Sequence, residues 1–157
     1  MSNDSASVET ATATATAAAA AMWENDRACQ ALGMELISVD VGSAQMAMTV
    51  QAQMVNGHGI CHGGYLFTLA DSAFAYACNS RNLVTVASGA RIDFLRPAKL
   101  SERLLATASV VHQAKRTGIY DVTVTNEKGE CVAQFRGNST TIADAIVPPD
   151  SAEVLND

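Results

Sequence analysis

The sequence predicts an α+β domain in which an antiparallel sheet wraps one long central helix. Three observations point there. A long apolar segment ending near Asn79 has helical character, and such a helix cannot bury itself. Two strand-like segments precede it and four follow it. The links between those strands are short turns, which join antiparallel neighbours. A length of 157 residues suits one domain.

The elements follow in order. Residues 1–19 are of low complexity and run into ETATATATAAAAA. They are expected to form a disordered tail, with the alanines able to extend the next helix. The tail lacks the basic start and apolar core of a secretory signal. No run in the chain is long and apolar enough to span a membrane. The folded domain is expected over 20–142. Ala20 to Ala31 reads as a short helix that Gly33 stops. Met34–Val39 and Ser43–Gln53 read as strands joined by a turn at Asp40–Gly42. In the second, Ala44, Met46, Met48 and Val50 share one face. A polar, glycine-rich loop over Asn56–Gly64 then runs into the long helix. VASGARIDFLRP, Arg103–Gln113, Thr117–Asn126 and Cys131–Ile142 are the remaining strands. Residues 143–157, with their PPD and acidic residues, are expected to be a flexible C-terminal tail.

Composition narrows the function. A net charge of −6 and few aromatic residues argue against a nucleic-acid partner. Charge is unevenly spread: Arg81–Thr140 holds nine basic against five acidic residues, whereas Met1–Ser80 holds Arg27 alone as a base. That island could receive a small anionic ligand or be an ordinary solvated sheet face. The four cysteines form no C-x-x-C pair and read as reduced thiols of a cytoplasmic protein. Three scattered histidines make no metal site.

The chemistry concentrates in NGHGICHGGYLFTLADSAFAYACN, residues 56–79. Its helix carries one carboxylate, Asp71, among Phe67, Ala70, Ala73 and Phe74. Burying a carboxylate without a partner is costly, so its place there needs a reason. Either it does chemistry or it is bonded structurally. Asn56 could hold the Asn56–Gly57 turn, and His62 could bond the loop backbone at the helix start. No G-x-S-x-G elbow is present, which argues against a serine triad.

NGHGICHGG at 56–64, LADSAFAYACNS at 69–80, IDFLRPA at 92–98, HQAKRTGIYDV at 112–122 and FRGNS at 135–139 together resemble the acyl-CoA thioesterases of the hotdog superfamily. They are most similar to the phenylacetic-acid-degradation group, which hydrolyses phenylacetyl-CoA or hydroxylated phenylacetyl-CoA. The resemblance implies a hotdog fold, with the sheet curled around the helix. It implies that Asp71 is the catalytic carboxylate, as general base or nucleophile, and that the Gly63 N–H polarises the thioester carbonyl. It also implies that Asn56 and His62 shape the site. Coenzyme A belongs to the substrate, and no separate cofactor or metal is expected.

A thioester hydrolase needs a base or nucleophile and a donor for the developing oxyanion. Gly63 and Gly64 stand at the helix start, where backbone N–H groups lack intrahelical partners. Arg96, Lys115, Arg116 and Arg136 are candidates for the coenzyme phosphates, the KRTG turn at 115–118 being the better one, and Phe67, Phe74 and Phe94 are candidates for the acyl pocket. Gly63 and Asp71 are eight residues apart, about 12 Å along one helix. Both cannot reach one carbonyl carbon, so two subunits must meet around each site. The expected assembly is an obligate homodimer; the resemblance suggests a homotetramer. A non-hydrolytic acyl-CoA-binding or hydratase-type hotdog protein is the alternative.

Overall fold

A computed structural model describes residues 3–148. Helix α1 spans Asn3–Asn25 and α2 Arg27–Ala31; strands β1 (Glu35–Asp40) and β2 (Ser43–Thr49) follow. The central helix, α3, runs Gly63–Cys78, and β3 (Leu83–Phe94), β4 (Arg103–Gln113), β5 (Thr117–Thr125) and β6 (Cys131–Ala145) complete the chain. All pairings are antiparallel, in the order β1-β2-β4-β5-β6-β3. This is the expected α+β hotdog architecture.

Alternation along the strands explains how the sheet covers α3. Ala44, Met46, Met48 and Val50 are buried from the second strand segment, and Tyr120, Val122 and Val124 from β5. They meet Leu66, Leu69, Ala70, Ala73, Phe74 and Ala77 of α3 in one core. Small residues along α3 let the sheet come close. The glycine of FRG, Gly137, has the same purpose: a β-carbon there would lie 2.8 Å from Phe74 Cζ. Phe74 is 1% exposed and cannot yield. Gly137→Ala is therefore expected to lower the unfolding free energy by about 1–3 kcal/mol, measured by urea denaturation.

Two expectations are corrected. Residues 3–19, expected to be loose, form most of α1. Alanine has the best helix propensity, and Ala15, Ala18 and Ala19, on one face, are buried. Thr12 Oγ1 adds a hydrogen bond to Asp40 Oδ1 of β1 at 2.9 Å. At the other end, β6 continues to Ala145, and residues 146–147 are pinned by Asn82. The remainder of the expected C-terminal tail, 149–157, lies outside the described residues, as do residues 1–2. Among the described residues no helix is long and apolar enough to cross a membrane.

The junction of α1 and α2 is tied to the central helix. Asp26 caps α2 by accepting from the Cys29 N–H through Oδ1, and accepts from the Tyr76 hydroxyl through Oδ2 at 2.9 Å. One carboxylate thus fixes the N-terminal helices against the last turn of α3.

Candidate active site

The loop before α3 is held by its own backbone and by Asn56. Asn56 Oδ1 accepts from the N–H groups of His58 at 2.9 Å and Ile60 at 3.3 Å, and its N–H donates to Ile60 O. The turn role foreseen for Asn56 is therefore present. Gly59 takes a φ of +76°, which glycine adopts without strain. The Cys61 N–H donates to Ala98 O at 2.7 Å and the His62 N–H to Met54 O at 2.8 Å. The loop is thus anchored on both sides just before the helix.

His62 is the N-cap of α3. Its Nδ1 accepts from the Gly64 N–H at 3.0 Å. A neutral ring that accepts at Nδ1 carries its proton on Nε2. The bond has a second consequence. It occupies the Gly64 N–H, whereas the Gly63 N–H has no acceptor among the described residues. Of the two glycines expected to act, the structure leaves Gly63 as the free donor, at the positive end of the helix dipole. Gly64 lines the same cavity but its N–H is committed.

That cavity has a volume of about 700 Å³. Its wall includes Asn56, His62, Gly63, Phe94 and Arg96 besides Gly64, so six expected site residues are brought together there. Phe94, 54% exposed, lies directly against Gly63: a β-carbon on the glycine would be 2.8 Å from Phe94 Cζ.

Asp71 is elsewhere. Two turns further along α3 it lines a second cavity of about 430 Å³, with Met22, Phe74, Val84, Val86 and Ile146 among its walls. No hydrogen bond or ion pair reaches its carboxylate among the described residues. The structural partner that would have explained it is not there. Burial pushes its carboxyl above the usual aspartate range. Neighbouring thiols do not compete as nucleophiles. Burial pushes both Cys29 and Cys78 up to about 12, with the Asp71 charge adding to the shift, and Cys61 up to about 11. At neutral pH all three remain thiols, and only the thiolate is a strong nucleophile.

The other expected residues fall outside both cavities. Phe67 packs edge-on against Phe135, ring centroids 5.5 Å apart, as part of the core. Arg136 is held by Asp121 through bonds of 2.7 and 2.8 Å, because antiparallel register sets the two residues opposite each other on β6 and β5. Arg136 is thus paired with a carboxylate, and it lines neither the Gly63 nor the Asp71 cavity. Arg116 donates to Thr141 O at 3.0 Å from the β4–β5 turn. Lys115 stands beside it on that turn, and neither lines the Gly63 or the Asp71 cavity. Among the described residues no cluster of three or more His, Cys, Asp or Glu side chains could hold a metal ion.

Of the walls of the Asp71 cavity, Phe74 was among the expected acyl-pocket residues, but Met22 and Ile146 were not foreseen. Met22 comes from α1, and Ile146 from the segment after β6. Neither carries a motif; only their apolar character in an otherwise polar or alanine-rich stretch could have marked them.

Residues 58–133 match the Thioesterase superfamily. The chain is 56% identical over 126 residues to the acyl-coenzyme A thioesterase PaaI of Escherichia coli, covering 80% of this chain and 90% of that one. The structure of the E. coli PaaI protein from the phenylacetic acid degradation operon superposes with a TM-score of 0.84 at 53% identity, over 85% of this chain and 97% of that chain. A Streptococcus mutans protein bound to acetyl CoA superposes with a TM-score of 0.69 at 28% identity, over 71% and 90% of the two chains. With the hotdog fold, the free donor and the unpaired carboxylate already in view, these likenesses are decisive: the chain belongs to the thioesterase superfamily, in the group of hotdog enzymes that includes the E. coli acyl-coenzyme A thioesterase PaaI.

Proposed function

We propose that the protein hydrolyses phenylacetyl-CoA or hydroxylated phenylacetyl-CoA, with each active site shared between two subunits. Water and the thioester give the free acid and the coenzyme A thiol. The supporting observation is the separation of two halves of a site. An acceptor-free N–H, on Gly63, and an unpaired carboxylate, on Asp71, line different cavities of one chain.

Strand β3 explains how the halves meet. It is an edge strand of twelve residues. Its C-terminal residue Phe94 lies against Gly63, while Val84 and Val86 near its start border the Asp71 cavity. Antiparallel pairing of β3 with a second copy about a two-fold axis sets the end of one strand beside the start of the other. The partner's Gly63 then faces Asp71, and the arrangement repeats on the other side. Such pairing also covers an edge whose Leu83, Val86 and Phe94 are 38%, 43% and 54% exposed.

In this arrangement the Gly63 N–H donates to the thioester oxygen and stabilises the oxyanion as it forms. Asp71 attacks the carbonyl carbon or takes a proton from the attacking water. In this reading Arg96, which lines the Gly63 cavity, receives a coenzyme phosphate in preference to the KRTG turn. The pairing of dimers into a homotetramer is part of the same reading, as is a cytoplasmic location.

The purified protein is expected to release coenzyme A from phenylacetyl-CoA, followed with a thiol reagent. Retention of the thioester on the protein without release of thiol would favour the acyl-CoA-binding alternative instead. Single-turnover hydrolysis in oxygen-labelled water separates the two roles of Asp71. A general base delivers solvent label straight to the product, whereas a nucleophile passes an enzyme oxygen into it.

A further inference from the structure

The cavity beside Asp71 is lined by two apolar residues that do not belong to the sheet or to α3. Met22 enters from the last turns of α1, and Ile146 from beyond β6. Ile146 is not held there by packing alone. Asn82 adopts a φ of +61°, a left-handed conformation that asparagine tolerates better than most residues. From it, the side chain makes two hydrogen bonds to the backbone of the next residue along: Nδ2 donates to Val147 O and Oδ1 accepts from Val147 N–H, both at 2.9 Å. The Ile146 N–H donates to Asn82 O at 3.3 Å. One residue at the start of β3 thus fixes the chain segment that carries Ile146.

The wall chemistry says what the cavity receives. Its polar residues besides Asp71 are bonded to each other: Asn79 Nδ2 donates to Thr85 O at 2.8 Å, the Thr85 N–H to Asn79 Oδ1 at 2.9 Å, and the Thr85 hydroxyl to Leu83 O at 2.9 Å. Asp71 alone is left to act, and the rest of the surface is apolar. A group lodged here presents carbon, with its reactive end at the carboxylate. That describes the acyl part of a thioester rather than the polar pantetheine or nucleotide.

We propose that Met22 and Ile146 form the far wall of the acyl pocket and set the size of the acyl group, with Asn82 as the positioning residue for Ile146. This rests on the thioesterase reading above and adds to it where the selectivity lies. Methionine can re-rotate to fit, whereas the branched Ile146 on a pinned backbone is the firmer stop.

The test compares kcat/KM for phenylacetyl-CoA with that for 4-phenylbutyryl-CoA, whose acyl chain is two methylenes longer. Met22→Ala and Ile146→Ala should each move the ratio toward the longer substrate by about tenfold or more, the scale on which a methylene is discriminated in an apolar pocket. Ile146→Trp should move it the other way. Asn82→Gly keeps the left-handed backbone accessible but deletes both side-chain bonds, so by loosening Ile146 it should shift the ratio toward the longer substrate without changing any residue of the cavity wall. An unchanged ratio in these variants, or an equal loss on both substrates, overturns the proposal while leaving the thioesterase reading standing. Wild-type protein that cleaves neither thioester overturns both.

Discussion

Asp71→Asn should lower kcat for phenylacetyl-CoA about a thousandfold, within the range of losses seen when a positioned base or nucleophile is removed. The substitution keeps the shape of the side chain and removes its negative charge. A carboxamide can neither accept a proton from water nor attack a thioester. Because the cavity keeps its size, KM should change far less than kcat, which is the signature of an interaction made in the transition state. A variant that retains most of the wild-type kcat would refute the assignment of Asp71, whatever its KM.

The same substitution should raise stability, in a direction that can be worked out from burial. The folded-state pKa of Asp71 is raised above its unfolded value by desolvation. The stability linked to its proton is therefore fully present below the unfolded pKa and lost as pH rises through the folded one. Above its folded-state pKa the fold carries a charged group that it disfavours, and the neutral asparagine removes that cost. Each kcal/mol recovered corresponds to about 2–4 °C in Tm for a chain of this size. The gain should shrink at pH 4, where the native carboxyl is itself partly neutral. A more stable but inactive variant is what a functional carboxylate predicts; a structural one would give a less stable protein. The acid limb of the kcat/KM profile should likewise lie above the ordinary aspartate range.

How far these features could be read in the amino-acid order depends on the range of the interaction behind each. The strands were legible because turn chemistry and alternation are local: Gly42 takes a φ of +76° in the turn expected to hold it. Tyr120, Val122 and Val124 repeat at the period of two that a half-buried strand requires. Asp71 stood out as a lone carboxylate in an apolar helix. The Ala/Thr segment misled because low complexity outweighed the i, i+3, i+4 spacing of Ala15, Ala18 and Ala19. The ion pair of Arg136 was hidden for a different reason. Its partner Asp121 is fifteen residues away and comes opposite it only through β5–β6 register. Ile146 is the extreme case: it reaches the Asp71 cavity because a residue 64 positions earlier, Asn82, binds its neighbour. No short pattern encodes such a contact.

The shared site makes its own prediction, which no single-chain site can imitate. Gly63 is the first residue of α3, after an N-cap whose φ and ψ are −62° and 135°. Proline is favoured at that first helical position, and the residue before it must be extended, as His62 already is. Gly63→Pro therefore deletes the free N–H while leaving the helix start intact, provided the exposed Phe94 ring swings aside. Loss of one oxyanion donor should lower kcat by about 10²–10³-fold. Co-expressed with Asp71→Asn in equal amounts, random pairing makes half of the dimers mixed. In a mixed dimer one site combines both defects and the other has an intact Gly63 from one subunit facing an intact Asp71 from its partner. Activity per protein should then recover to roughly a quarter of wild type, although each variant alone is nearly inactive. Tagging the two chains differently and purifying the mixed species should raise that value to about half. If both halves of the site came from one chain, mixing would restore nothing, and the two-fold arrangement across β3 would have to be abandoned.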